Sequence, residues 1–402
     1  MSRPAVSEST EETSAKARAR GARLRIVHVV RSLEIGGLER LVVDLAAEQR
    51  RAGHDVRIYC VYRRGEFAEA AEQLGIPIVC FGKTDGISPR TLWRMWQAMR
   101  KDRLEVVHTH NPLIHPYGVA AARLARVPVV VNTRHNVFAD AAGDPGAAAR
   151  MDAIAAQRRL KSERIFSATF RFTDRIAMVS EDARTSYVSR GALRPEQTKV
   201  ILNGIPLDKF KRNLARPGSN WPRIRFGAVG RLSEQKDHAT LIRAFAQVVT
   251  QMPQAELHVL GDGPMRSALE ELIGSLKLRD SVTLHGARSE SASFFATLDV
   301  FVLSSLYEGL PVVALEAMAA GLPIVSTRVG GTPEVAPEGE AAWYCEPASP
   351  ERLAELMIET GRRTDLAAIG ERARKLANER FSISAMAEAY ERCYREAYAR
   401  PE

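Results

Sequence analysis

Residues 24–62 read LRIVHVVRSLEIGGLERLVVDLAAEQRRAGHDVRIYCVY. The first seven, LRIVHVV, are mostly β-branched and apolar with little alternation, the pattern of a strand buried on both faces. After RSLEIGG, the helical segment LERLVVDLAAEQRRAG places Leu38, Leu41, Val42 and Leu45 at i, i+3, i+4 and i+7 on one stripe. Gly53 closes it, and VRIYCVY (56–62) is a second strand. A strand–helix–strand unit implies parallel strands joined by a crossover helix.

The same alternation continues outward. Further strands are expected at 105–110 (EVVHTH), 127–133 (VPVVVNT), 175–180 (RIAMVS) and 199–204 (KVILNG). The stretch IPLDKFKRNLARPGSNWPR (205–223) has three prolines, Gly218 and little periodicity, and reads as a connection between domains. The pattern then restarts with strands at 224–230, 255–261, 281–286, 299–305 and 322–327, followed by helices over 351–362, 366–379 and 384–398. The expected class is α/β, with two Rossmann-like doubly wound domains facing each other across a cleft. The expected division is a tail over 1–23, a first domain over 24–205, a linker over 206–223, a second domain over 224–380 and a last segment, 381–402, crossing back to the first domain. Such sheets bind ligands beyond the carboxyl ends of their strands.

The 402 residues suit two domains, and no uninterrupted apolar run is long enough to span a bilayer. The leading 23 residues lack an apolar core, which argues against a secretory signal. Cys60, Cys80, Cys345 and Cys393 match neither zinc spacing nor a disulfide scaffold, and a reducing cytosol fits them. The net charge of +9 is uneven: residues 24–215 carry +11 and residues 216–402 carry −4. A basic first half suits an anionic partner, whether a phosphate-bearing substrate or a membrane surface. A nucleic-acid binder is disfavoured, because no helix-turn-helix, zinc module or RNA-binding signature is present.

The strand ends supply candidate site residues. Gly36 and Gly37 open the first helix, where backbone N–H groups can approach a phosphate; a tight turn also uses glycine. His110 ends the strand EVVHTH near the cleft, with His108 as its packed neighbour. The two share a strand face, but no third ligand stands at a recognisable spacing, so no metal is expected. Arg134, His135 and Asn136 follow the next strand as second-rank candidates. In the second half, Arg231 and Lys236 flank a loop after FGAVG and suit a diphosphate. In YEGLPVVALEAMAAG (307–321), Glu308 and Gly309 form a loop and Pro311 reads as the first helical residue. Glu316 then lies between one and two turns inside the helix. Gly330 and Gly331 form one more glycine pair before a helix.

Glu308 and Glu316 with seven residues between them, followed by AMAAGLPIV and combined with GRLSEQKD, LGDGP and VGGTPE, resemble the retaining glycosyltransferases of family 4, also called group 1. GGLER and HTHN fall where that family has a glycine loop and a cleft histidine, and GGLER is similar to members working in exopolysaccharide assembly. The resemblance spans about residues 24–400 and implies the GT-B fold. It further implies a nucleotide-diphosphate-sugar donor. Glu316 would hold ribose hydroxyls, while Glu308, Gly309 and Leu310 would hold the sugar and distal phosphate. Arg231 and Lys236 would neutralise the diphosphate, Gly37 would approach it, and Arg288 would lie near the base. His110 and Glu308 would be the catalytic pair. No cofactor or metal is implied, since the donor is a substrate and the chain has no D-x-D pair.

The acceptor, a saccharide or lipid-linked saccharide, is expected on the basic first domain. RTLWRMWQAMRKDR (90–103) sets Leu92, Trp93, Trp96 and Met99 against basic residues; it reads as a helix docked on the sheet or, alternatively, as one lying on an anionic bilayer. RRLKSERIFSATFRF (158–172) is also basic and apolar. The expected location is cytoplasmic, with peripheral binding at the inner membrane face. Two rival readings are a nucleotide-sugar epimerase, which would need no acceptor, and a two-domain protein that closes on a ligand without chemistry.

Overall fold

The computed structural model describes residues 22–84, 86–136, 168–210 and 223–399. Seven strands form the first sheet: β1 (Arg25–Val30), β2 (Asp55–Cys60), β3 (Ile78–Cys80), β4 (Val106–Thr109), β5 (Val129–Arg134), β6 (Arg175–Met178) and β7 (Thr198–Val200). Their order is β3-β2-β1-β4-β5-β6-β7, and every pairing is parallel. The second sheet holds β8 (Arg225–Val229), β9 (Glu256–Leu260), β10 (Val282–Leu284), β11 (Val300–Leu303), β12 (Ile324–Thr327) and β13 (Ala342–Cys345). Its order, β10-β9-β8-β11-β12-β13, is also parallel throughout. In both sheets the order reverses beside the first strand, which opens a crevice at that strand's carboxyl end.

Helices cover both sheets. In the first unit they are α1 (Gly37–Arg51), α2 (Phe67–Gln73), α3 (Pro89–Lys101), α4 (His115–Leu124) and α5 (Glu181–Val188). In the second they are α6 (His238–Gln251), α7 (Arg266–Ser275), α8 (Ala292–Phe295), α9 (Val312–Ala319), α10 (Thr332–Val335), α11 (Pro350–Gly361), α12 (Leu366–Arg380) and α13 (Ile383–Tyr398). On the α1 stripe Leu41, Val42 and Leu45 are buried and Leu38 is partly buried against the same core, and Gly53 stops the helix with φ +93°, a conformation other residues adopt only with strain.

Two short strands, β3 and β13, are absent from the expected pattern. Ile78–Cys80 has only three residues, and Ala342–Cys345 contains Trp343 and Tyr344 without alternation. Their neighbours in the sheet, rather than their own sequence, make them strands. Pro311 also differs: its ψ of 112° is extended, so it precedes α9, which begins at Val312. The 90–103 helix is docked on the sheet. Met95 and Met99 are in the core with Leu92 and Trp96 packed against it, while Trp93 points outward at 53% exposure. Of the basic stretch 158–172, residues 158–167 lie outside the described residues, as do the tail through residue 21 and the linker residues 211–222.

The chain passes between the sheets near Ile205 and again near Ser382, and the two crossings are hydrogen-bonded to each other. Ile205 N–H donates to Phe381 O at 2.8 Å and Ile383 N–H to Ile205 O at 3.0 Å. The second crossing sends α13 onto the first sheet. Met386, Tyr390, Cys393 and Tyr394 are buried in the same cluster as Ile26, Val42 and Val131. Cys60, Cys345 and Cys393 are buried free thiols, and burial pushes the Cys345 and Cys393 thiols up to about 11.

Candidate active site

The loops after β8 and β11 are stitched together before any ligand is considered. Leu306 N–H donates to Gln235 O at 2.8 Å, Gln235 Nε2 to Tyr307 O at 3.0 Å, and Ser304 Oγ to Lys236 O at 2.9 Å. These bonds aim Lys236 at Glu308. The Lys236 ammonium donates to Glu308 Oε1 at 2.5 Å, and Ser305 Oγ donates to the same oxygen at 2.7 Å. Glu308 is only 5% exposed, so its charge is held by an ion pair and a hydroxyl rather than by water. Asp237, next to Lys236, adopts φ +43° and caps α6 through Thr240 N.

Glu308 leads directly to the start of α9. Among the described residues, no acceptor pairs with the backbone N–H of Gly309, Leu310 or Val312. A helix start with open N–H groups carries partial positive charge toward its mouth. Gly309 sits against the other domain: a Cβ there would lie 2.0 Å from the His135 carbonyl oxygen. Asn203 Nδ2 donates to Leu310 O at 2.9 Å, and Gly331 N–H to Gly309 O at 2.6 Å. Gly330 and Gly331 thus buttress the Glu308–Gly309 loop. Glu334, just after them, accepts from Glu181 N–H and Asp182 N–H at 3.0 and 2.9 Å, and so caps α5 from across the cleft.

Glu316 lies four residues into α9, half-buried, with Ser291 Oγ at 3.4 Å. Desolvation pushes its carboxyl up to about 8, against a partial pull downward from Ser291 and from Arg40 of the first domain. Gly36 is extended at the mouth of α1, and a Cβ on Gly37 would meet nothing within 4 Å, so packing does not require glycine at 37. Arg231 is exposed with no side-chain partner among the described residues, and Arg288 is exposed on the loop after β10.

Facing this second-domain set is a row of histidines. His110 is 3% exposed and does not open onto the cleft; its Nε2 lies 2.9 Å from His28 Nδ1 and its Nδ1 lies 3.2 Å from His135 Nε2. His135 is the half-buried member at the domain boundary. Burial holds all of these imidazoles far below their usual range, His28 to about 4 and His135 to about 3. They are neutral at physiological pH. Arg134 is turned away, bonded to the Tyr187 hydroxyl within its own domain, and Asn136 is exposed.

Sequence reading missed His28, Gln49, Tyr390 and Tyr394. A histidine inside the buried strand RIVHVV and a glutamine four residues beyond Leu45 on the α1 stripe were the available signals. Parallel register places His28 beside His108, supplying a third imidazole that no sequence spacing announces. The ligand atoms of His28, His108 and His110 all lie within 4.8 Å of one another. Every one of those ring nitrogens already has a hydrogen-bond partner in the protein. Two ligands on a tetrahedral zinc, each at about 2.0–2.1 Å, would stand roughly 3.3 Å apart, wider than the 2.9 Å His28–His110 contact. The cluster fits a hydrogen-bonded network better than a metal centre.

Residues 35–209 match the family described as Glycosyltransferase Family 4, and residues 210–376 match Glycosyl transferases group 1. The chain belongs to the group 1 glycosyltransferases and is an enzyme of that class. EpsF of Bacillus subtilis is 28% identical over 71% of this chain and 74% of its own length. The UDP-Gal:alpha-D-GlcNAc-diphosphoundecaprenol alpha-1,3-galactosyltransferase of Escherichia coli is 25% identical over 72% and 76%. An uncharacterized glycosyltransferase of Methanocaldococcus jannaschii, MJ1059, is 32% identical, but over only 35% of this chain and 36% of its own. Among solved structures, HepE of Anabaena in complex with UDP and glucose superposes with a TM-score of 0.78 at 22% identity, over 92% of this chain and 98% of that one. The architecture is the GT-B fold expected from the resemblance.

Proposed function

We propose that this enzyme moves a hexosyl group from a nucleoside-diphosphate sugar to an acceptor hydroxyl, with retention at the anomeric carbon and without a metal ion. The observation that carries the reading is the Lys236–Glu308 pair beside the open start of α9, where Gly309 packs against the His135 backbone carbonyl of the opposite domain. A departing nucleoside diphosphate needs positive charge where its own charge develops. Lys236, Arg231 and the α9 N-terminus provide it, already in place beside the Glu308 loop. Glu308, freed from Lys236 as the diphosphate takes the ammonium, accepts sugar hydroxyls; Glu316 accepts ribose hydroxyls deeper along α9. Gly36 and Gly37 bring backbone N–H to the diphosphate from α1, and Arg288 borders the base. His135 meets the transferred sugar, with His110 behind it as its hydrogen-bond partner. Retention then follows from attack on the face the leaving phosphate vacates, with a phosphate oxygen receiving the acceptor proton.

For the acceptor we favour a lipid-linked saccharide, in polysaccharide or glycolipid assembly on the cytoplasmic face of a membrane. The E. coli relative is named for a diphosphoundecaprenol-linked acceptor, and residues 24–215 of this chain are basic. Ile87, Trp93 and Leu124 remain exposed on the first domain, near Arg90 and Lys101 of α3. No described helix is long and apolar enough to cross a membrane. The test is a panel of nucleotide sugars scored for thermal stabilisation and nucleoside-diphosphate release, with and without a chelator. Release unchanged by the chelator is expected; no response to any donor overturns the transferase reading. Salt-insensitive failure to sediment with anionic liposomes overturns the membrane arm.

A further inference from the structure

The buried polar groups between the first sheet and α13 form one continuous chain with a direction. His28 Nε2 lies 2.7 Å from Gln49 Oε1, and Gln49 Nε2 donates to the Tyr394 hydroxyl at 3.3 Å. Tyr394 lies 2.7 Å from His108 Nδ1, His108 Nε2 lies 2.7 Å from Thr133 Oγ1, and Thr133 lies 2.8 Å from the Tyr390 hydroxyl. An amide oxygen only accepts, so His28 carries its hydrogen on Nε2. A neutral His28 then has a bare Nδ1, which accepts from His110 Nε2–H. By the same step His110 Nδ1 accepts from His135 Nε2–H, and His135 is left with a bare Nδ1. In the other direction Gln49 donates to Tyr394, Tyr394 to His108, His108 to Thr133 and Thr133 to Tyr390. Eight residues are joined by seven hydrogen bonds that all run in one sense, from His135 to Tyr390.

Turning the Gln49 amide over would reverse every link, and His135 would then present an N–H where it now has a lone pair. The lengths favour the first of the two states. A contact of 2.7 Å suits N–H···O; an N–H···N bond is ordinarily longer, as the 2.9 and 3.2 Å histidine contacts are. We propose that Gln49 is a positioning residue: its amide orientation fixes the tautomer of His28, His110 and His135, and so sets which hydrogen-bonding group His135 offers the bound sugar. Gln49 touches no part of the cleft; it is 1% exposed and acts through three rings. Tyr394 holds the amide from the other side, so α13, the helix that returns from the second domain, carries the clamp. This inference rests on the proposed sugar-binding role of the cleft for its consequence, though not for the tautomers.

The experiment uses the full chain labelled with 15N-histidine, with ring signals read by long-range 1H–15N correlation and assigned with His28→Gln, His110→Gln and His135→Gln. The expected result is the Nε2–H tautomer at His28, His110 and His135. Gln49→Leu removes the acceptor and should leave the three rings as tautomer mixtures. Gln49→Glu keeps an oxygen acceptor facing His28 and, as a neutral carboxyl, an O–H for Tyr394, so it should restore Nε2–H and tests the same point if the leucine variant fails to fold. On the panel-identified donor, Gln49→Leu should lower kcat about tenfold, the effect of about 1.4 kcal/mol, with KM changed less than twofold. Nδ1–H tautomers in the wild type, unchanged tautomers in Gln49→Leu, or scrambled tautomers with unchanged kcat each overturn the proposal. The NMR readout needs no turnover, so a chain inert to every nucleotide sugar would defeat the transferase reading while leaving the tautomer assignment decided on its own.

Discussion

Replacing Glu316 with glutamine should make the empty protein more stable at alkaline pH and a poorer donor binder. In the folded chain burial pushes this carboxyl from its ordinary 4.5 up to about 8. The unfolded chain releases the proton near 4.5 and the folded chain near 8. Between those values the folded state holds one more proton, so stability falls as pH rises through the window. The shift of 8 − 4.5 = 3.5, at about 1.36 kcal/mol for each unit, caps the loss at about 5 kcal/mol. The side chain is half-buried, so water relaxes part of this, and a loss of about 2 kcal/mol is the working expectation. Arg40, Asp44, Glu290 and Ser291 are the groups that bias the carboxyl. Binding runs the other way, because ribose hydroxyls bond best to an ionised acceptor. If the donor selects the ionised form, affinity should drop about tenfold per pH unit below 8. Thermal melts and calorimetry with a nucleotide sugar, from pH 5 to 9, read both slopes. In Glu316→Gln both should vanish. Parallel melting curves for the two proteins, or a wild-type affinity flat between pH 6 and 8, would refute the reasoning.

Lys236→Met removes the cation nearest Glu308 and should lower nucleoside-diphosphate release by about 100-fold or more, as loss of a charge-stabilising donor does elsewhere; a loss under fivefold in the release assay would remove Lys236 from the diphosphate site. Gly309→Ala places a methyl 2.0 Å from the His135 carbonyl, so the domains must separate there. Small-angle scattering should show a more open particle, and activity should fall while each sheet's circular dichroism is retained. Tyr394→Phe strips the hydroxyl between Gln49 and His108, leaving buried polar groups unpaired at a cost of about 1–3 kcal/mol in denaturant unfolding. Unchanged stability there would mean the network is not the closed chain the distances describe.

Much of this architecture was legible in the chain because parallel strands buried on both faces carry a strong, local apolar signal. LRIVHVV, IRFGAVG and the α1 stripe each announce their element without help. Glu308 and Glu316 stood out for the opposite reason, as carboxylates inside an apolar segment. Their different positions depend on where α9 begins, and Pro311 proved to precede the helix rather than start it. Short strands such as Ile78–Cys80 carry too few residues for a pattern, so neighbours settled them.

Local periodicity by itself determined the alternating elements, the tandem division and the loops where a ligand would sit, because each depends on residues within one or two turns of each other. Tertiary structure alone decided the company those loops keep. Register between β1 and β4 brings His28 beside His108, although the two stand eighty positions apart in the chain. The crossing at Ser382 brings Tyr390 and Tyr394 to the same cluster from the far end of the chain. Hydrogen bonds between partners so distant in sequence have no spacing to betray them, and His110, read as a cleft residue, became the buried middle of a row.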